Sequence, residues 1–290
     1  ANLLTLDGTS SGNQISGIIS GPQALTKSNT STWILSNANT FSGNTKVTGG
    51  SLILKNNLAL QSSAFDTSGA GTLDLTDVSI TTPTLGGLIG DSGTGQNLVL
   101  PSNVTGLTLN PSGTVTYVKN ISGGAAGLTL TKSGTGTQIL SGTNTYSGLT
   151  TVSAGELRVT SAGAIGGNNI TVTNGQLALD GGITVSGKSL TTSGSGNNFF
   201  GGLQSVTGTN EWAGSVLIGA DNSRIGSRKN ASLVVSGAIG DGANTYSLVI
   251  RNEGAGTNNN GAGNANTVTV LSGANTYGGN TQLINGLTKL

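Results

Sequence analysis

Three stretches of one pattern constrain this chain more than any other feature of it. They are 35–54, LSNANTFSGNTKVTGGSLIL, then 140–159, LSGTNTYSGLTTVSAGELRV, and 271–290, LSGANTYGGNTQLINGLTKL. Each opens Leu-Ser and continues Asn-Thr-aromatic, Gly-x-Thr and an apolar residue. A glycine follows fifteen residues after the first leucine, at Gly50, Gly155 and Gly286. A partial fourth copy, 242–246, keeps Asn-Thr-Tyr but lacks the Gly-x-Thr half. Four of the ten aromatics share one slot of the repeat: Phe41, Tyr146, Tyr246 and Tyr277. A recurrent aromatic at one slot is a packing device, because each unit must bury the same face on its neighbour.

Short strands cannot bury their apolar side alone, so units of this length must stack. Asn tolerates left-handed backbone and bonds its own backbone, and Gly takes positive φ at no steric cost, so Asn-Thr followed by Gly reads as a corner. Each copy is then about one coil of a parallel β-helix, right-handed by the general crossover rule. Between the copies run apolar triplets, such as Leu52-Ile53-Leu54, Leu58-Ala59-Leu60, Val78-Ser79-Ile80, Leu107-Thr108-Leu109, Leu177-Ala178-Leu179 and Leu248-Val249-Ile250. Two inward side chains flank one outward, as in a half-buried strand. The middle residues, Thr108, Arg158 and Thr171 among them, are expected to face solvent. The expectation is an all-β chain, one parallel β-solenoid domain over 1–290 with about 14 coils of ~20 residues. Residues 251–266, RNEGAGTNNNGAGNAN, have no apolar pattern and read as a projecting loop.

The pattern L-S-G-x-N-T-Y-x-G-x-T-x-[VL], followed by G-x-L-x-V, resembles the passenger-associated repeat of bacterial autotransporters. The three good copies cover about a fifth of the chain. The resemblance implies a secreted β-helix at a cell surface. It carries over no catalytic residue, since the repeat contains none. The third copy departs from it, with Thr288 where Leu52 and Leu157 stand.

Composition narrows the chemistry. The chain has no Cys, Met or His. That excludes disulfides and thiolate sites, and it removes the commonest general base and metal ligand. No catalytic, metal or cofactor site is expected. A net charge of +1 with 8% charged residues offers no basic face for nucleic acid. No apolar run approaches the ~20 residues of a membrane helix, so this segment is not expected to insert in a membrane. Asp74 and Asp77 are the closest carboxylates, and on a strand they would face opposite ways. No Gly-x-Gly pair completes a phosphate-binding motif or opens a helix.

The one locally charged, aromatic stretch is 211–229, with Trp212, Arg224, Arg228 and Lys229, a candidate contact surface. Trp33 joins it, because it occupies the repeat slot held by Gln138 and Thr269. A polar residue at that slot twice suggests that the slot faces outward. The chain opens on Leu3, Leu4 and Leu6 and stops on Leu287 and Leu290, with no capping pattern at either end. These leucines are candidates for a head-to-tail contact between copies.

The reading favoured is a non-enzymatic, extracellular structural solenoid, a surface stalk or the subunit of a filament. Its partners would be further copies of itself, or a host or neighbouring cell surface. The alternative is an adhesin or ligand-binding passenger segment using the 195–266 face. A carbohydrate-active β-helix enzyme is the third reading, weakened by scattered acids and the lack of His.

Overall fold

A computed structural model describes residues 2–197, 200–253, 267–284 and 287–289, with backbone alone at 287 and 288. The loop expected at 251–266 lies outside the described residues from 254 onward, as does Leu290. The chain divides into two compact units, Ala1–Leu149 and Thr150–Leu290. Among the described residues there is one short 3-10 turn, Ala162–Ala164, and the remaining regular structure is strand. Among the described residues no helix is long and apolar enough to cross a membrane.

The fold is a parallel β-solenoid. In the first unit, strands Leu3–Leu6, Ala24–Lys27, Thr45–Val47, Phe65–Asp66 and Leu88–Ile89 pair in that order. All four pairings are parallel. A second stack holds Asn13–Ile15, Thr32–Leu35, Ser51–Leu54 and Thr72–Asp74. Both stacks then stop. New ones begin with Thr84–Leu85, Gly106–Leu109 and Thr129–Lys132, with Thr114–Tyr117 beside Thr137–Leu140, and with Leu98–Leu100 beside Ile121–Gly123. In the second unit three stacks run in parallel. One leads from Thr150–Val152 to Ile239–Gly240, one from Glu156–Val159 to Thr281–Ile284, and one from Thr184–Val185 to Leu287–Lys289.

The alternation in the sequence becomes burial. Leu52 and Leu54 are fully buried while Ser51 and Ile53 are partly open. Each buried aliphatic side chain contributes about 1.5–3 kcal/mol. The two units together hold about 11 turns, fewer than expected. Some coils keep the short length, as Thr150 pairs with Ile170. Others carry insertions, so Leu190 pairs with Val216 and Ser232 with Val268.

Two apolar triplets are not strands. At 77–80 the Asp77 carboxylate accepts from the Ser79 amide at 3.0 Å and hydroxyl at 2.7 Å. That turn leaves Val78 86% exposed and Ile80 fully buried. At 56–60 the Asn56 side chain accepts from the Leu58 amide, and Leu58 is exposed. Not every middle residue faces water. Ala178 and Val249 are buried, although Arg158, Thr108 and Thr171 keep partial exposure.

Candidate functional site

The repeat's Asn-Thr pair joins one coil to the next. In the first copy the Ile19 amide donates to Asn39 Oδ1 at 2.9 Å, and the Thr40 amide donates back to the Ile19 carbonyl at 2.9 Å. Asn39 Nδ2 then donates to the Ala59 carbonyl at 3.0 Å, so one side chain spans three coils. The second copy repeats the device. Ile121 N–H donates to Asn144 Oδ1 at 2.7 Å, and Thr145 N–H to Ile121 O at 3.0 Å. In the third copy Ile239 gives to Asn275 Oδ1 at 3.0 Å and accepts from Thr276 at 2.8 Å. The expected self-bonding Asn is therefore a cross-coil Asn. A buried backbone amide must find a partner, and a coil corner has no strand to supply one. The partial copy differs, since Asn244 donates to the Asp241 carbonyl within its own corner.

The following glycine is needed for space. A Cβ on Gly43 would lie 2.4 Å from the Ala24 amide nitrogen, and one on Gly148 would lie 2.2 Å from the Gly127 carbonyl oxygen. The later glycine of the motif is the conformational one, with φ of 61° at Gly50 and 58° at Gly155. Of the packing aromatics, Phe41 and Tyr146 are buried. Tyr246 and Tyr277 are half-buried, and the Tyr277 hydroxyl meets Thr281 Oγ1 at 2.5 Å.

A second element of the repeat escaped the motif. Lys27 and Lys132 are fully buried. Lys27 Nζ donates to the carbonyls of Ser28 at 2.5 Å, Asn29 at 3.0 Å and, on the next coil, Gly49 at 3.0 Å. Lys132 Nζ holds the carbonyls of Ser133 and Gly134 in the same way. Burial lowers the Lys27 pKa, and the Asp7 charge opposes that shift. The signal was present as Leu-Thr-Lys-Ser at both 25–28 and 130–133.

The outer face of the second unit carries a polar ladder. Arg228 reaches Glu156 Oε2, Gln176 Oε1 at 3.2 Å and Gln204 Oε1 at 3.2 Å. Arg158 takes the other Glu156 oxygen at 2.7 Å. Both glutamines and Glu156 are buried. A single arginine, just past the end of strand Ser223–Ser227, thus ties three successive strands of one sheet. Its guanidinium is occupied in holding coils together, which differs from the contact role expected of it.

The rest of the expected contact surface is dispersed. Trp212 is fully buried and its Nε1 donates to the Ser215 carbonyl at 3.3 Å, so it offers no surface. Arg224 is half-buried and Lys229 is exposed. Trp33 lies in an inward slot, because its register partner Leu52 is fully buried. The polar occupants of that slot are buried too. Gln138 Oε1 accepts from Leu88 N at 2.9 Å and its Nε2 donates to Leu88 O at 3.1 Å. Thr269 donates to Asn252 Oδ1 at 2.6 Å. Polarity there reflects local hydrogen bonding, so the outward reading of Trp33 is corrected. Trp33 is half-buried and donates to the Asp7 carbonyl at 3.1 Å. Leu3 is exposed, Leu4 half-buried and Leu6 buried, while the side chain of Leu287 lies outside the described residues.

The carboxylates serve corners. Asp74 accepts from Thr76, and Asp91 from Gly93, Thr94 and Gly95. Backbone donors at Thr94 and Gly95 hold the Asp91 carboxyl below its usual range, and the Ser79 hydroxyl does so for Asp77. Among the described residues no three carboxylates gather as a metal site would require. A cleft of about 540 Å³ opens in the first unit where the sheet stacks break, with Asp66 and Asp91 on its walls.

Comparison with known families decides the character of the repeat. Residues 25–54 and 130–159 match the passenger-associated-transport-repeat family. Both matches begin at the Leu of Leu-Thr-Lys-Ser and include the cross-coil Asn, the packing aromatic and both glycines. The repeat thus comprises the buried lysine as well as the Asn-Thr corner. A parallel β-solenoid carrying it twice is consistent with an autotransporter passenger domain. The repeat family implies a secreted or cell-surface protein, and repeat and fold together fit a non-catalytic domain. No curated protein and no solved structure gave a significant match.

Proposed function

We propose that this protein is an extracellular structural solenoid without catalytic activity, working as a surface stalk. The observation that carries the reading is the use made of its distinctive residues. Asn39, Asn144, Asn275, Lys27 and Arg228 are each engaged in fastening one coil to another. The passenger-associated-transport repeat supports the extracellular setting. Head-to-tail stacking of copies into a filament is a second form of the same work.

Sedimentation of the 290-residue protein at rising concentration separates the two forms, and a polysaccharide depolymerisation assay runs beside it. Monomers at all concentrations, with the polysaccharides intact, are the result expected of a stalk. Uniform fibres that grow with concentration select the filament. Release of new reducing ends contradicts both. An adhesin is the alternative, favoured by the cleft in the first unit.

A further inference from the structure

The cleft lies where the regular stack fails. The sheet through Thr45–Val47 and Phe65–Asp66 ends at Leu88–Ile89, and the neighbouring coil restarts as Thr114–Tyr117. Gly90 makes an isolated bridge to Tyr117 at the junction. The break leaves a hollow of about 540 Å³ between stacked strands, within the roughly 300–1,000 Å³ typical of small-molecule sites.

We infer that this cleft is a binding site for a neutral carbohydrate. Its walls mix two kinds of surface. Ile89, Val115 and Val118 supply aliphatic area, which suits the C–H face of a sugar ring. Ser92, Thr114 and Thr116 supply hydroxyls that both donate and accept. Two fixed acceptors complete the set. Asp66 commits Oδ1 to the Ser68 amide and hydroxyl, and Asp91 commits Oδ1 to three amides and the Thr94 hydroxyl. Oδ2 of Asp91 takes no hydrogen bond among the described residues, and Oδ2 of Asp66 meets Lys46 at a distant 3.8 Å. Acceptors oriented in advance lose little freedom when a hydroxyl donates to them.

The charge pattern weighs against an anion. Asp91, which has no ion-pair partner among the described residues, repels an anion, while Lys46 partly offsets Asp66. Among the described residues no group of three acidic side chains gathers here to hold a hard cation. A ligand with many neutral hydroxyls and an apolar ring face meets every wall. The inference does not depend on the stalk reading, because a stalk and an adhesin can both carry such a cleft.

The test is an array of neutral and carboxylated oligosaccharides probed with the labelled 290-residue protein. Wild type is expected to retain neutral glycans. Thr116→Trp fills the cleft from an exposed position, and it should cut that retention at least about tenfold, a change of ~1.4 kcal/mol. Thr171→Trp, on an outward position of the second unit, should leave retention unchanged. Should Thr116→Trp lose its β-sheet circular dichroism, Ser92→Trp takes its place. The inference is overturned if no neutral glycan is retained, if only carboxylated glycans are retained, or if the folded filled variant binds as well as wild type.

Discussion

Residues 25–54 and residues 75–120 solve the same stacking problem in different ways. In the first, one coil repeats the backbone of the next. Thr45 donates to the Ala64 carbonyl, Thr48 to Lys27 and Ser51 to Ser31, with Gly43 and Gly50 allowing close approach. In the second, side chains stand in for missing strand partners. Asn103 Nδ2 reaches the carbonyls of Leu75, Asp77 and Ile80 at 2.7–3.1 Å. Asn57 Oδ1 collects the amides of Thr81 and Thr82. The buried Tyr117 hydroxyl accepts from Leu98 N at 2.7 Å and lies 2.9 Å from the Gln96 carbonyl. Burial pushes its pKa well up, so it stays a neutral phenol. Gln138 reaches back two coils to Leu88. Repetition makes stacking a property of backbone, glycine and the repeat's own Asn39 and Lys27, the same devices at both matched copies. A break in repetition needs tailored polar side chains, and it leaves a concavity.

That contrast is open to attack by substitution. The largest effect is expected in the repeat itself. Phe41→Ala should cost about 3–5 kcal/mol as a buried aromatic truncation. Tyr246→Ala, half-buried in the partial copy, should cost clearly less by the same denaturant melts. Equal losses would mean that the aromatic slot is not what sets the repeat apart.

Next comes the break. Gln138→Leu strands the amide and carbonyl of Leu88, and about 2–3 kcal/mol should be lost. If urea melts of this variant match those of Thr108→Ala, side chains are not what holds the break together. Asn39→Ala should cost about 1–2 kcal/mol, since it removes two cross-coil bonds.

Acid gives the smallest effect. Asp77 and Asp91 sit in corners of the break, and both have carboxyl pKa values below the ordinary value. Their contribution is therefore complete above pH ~3.9 and is lost as pH falls through the folded-state values. Relative to the intrinsic rate, exchange at the Thr94 and Gly95 amides should accelerate as pH falls through those values, while exchange at Thr40 should not. Uniform acceleration would dissolve the distinction.

The parts of the fold visible in the sequence are those that repeat. The parallel solenoid and the burial of Phe41 and Tyr146 followed from residues that recur at fixed spacing. Lys27 and Lys132 were hidden because a lysine in an inward slot contradicts hydropathy alternation. Its charge is satisfied by carbonyls that no sequence pattern displays. Trp33 was misplaced for the related reason that polar was equated with outward. The Glu156–Arg228 link joins residues 72 apart, and nothing local in the chain marks either. The cleft draws its walls from three coils with no motif in common, so it was invisible before folding.

The central claim is that the repeat's asparagine fastens one coil to another. Hydrogen exchange by NMR in the Asn144→Ala variant tests it most directly. The account predicts fast exchange at the Ile121 amide, which loses its 2.7 Å acceptor, with Leu130 and Tyr117 protected as in wild type. Unchanged protection at Ile121 would contradict it.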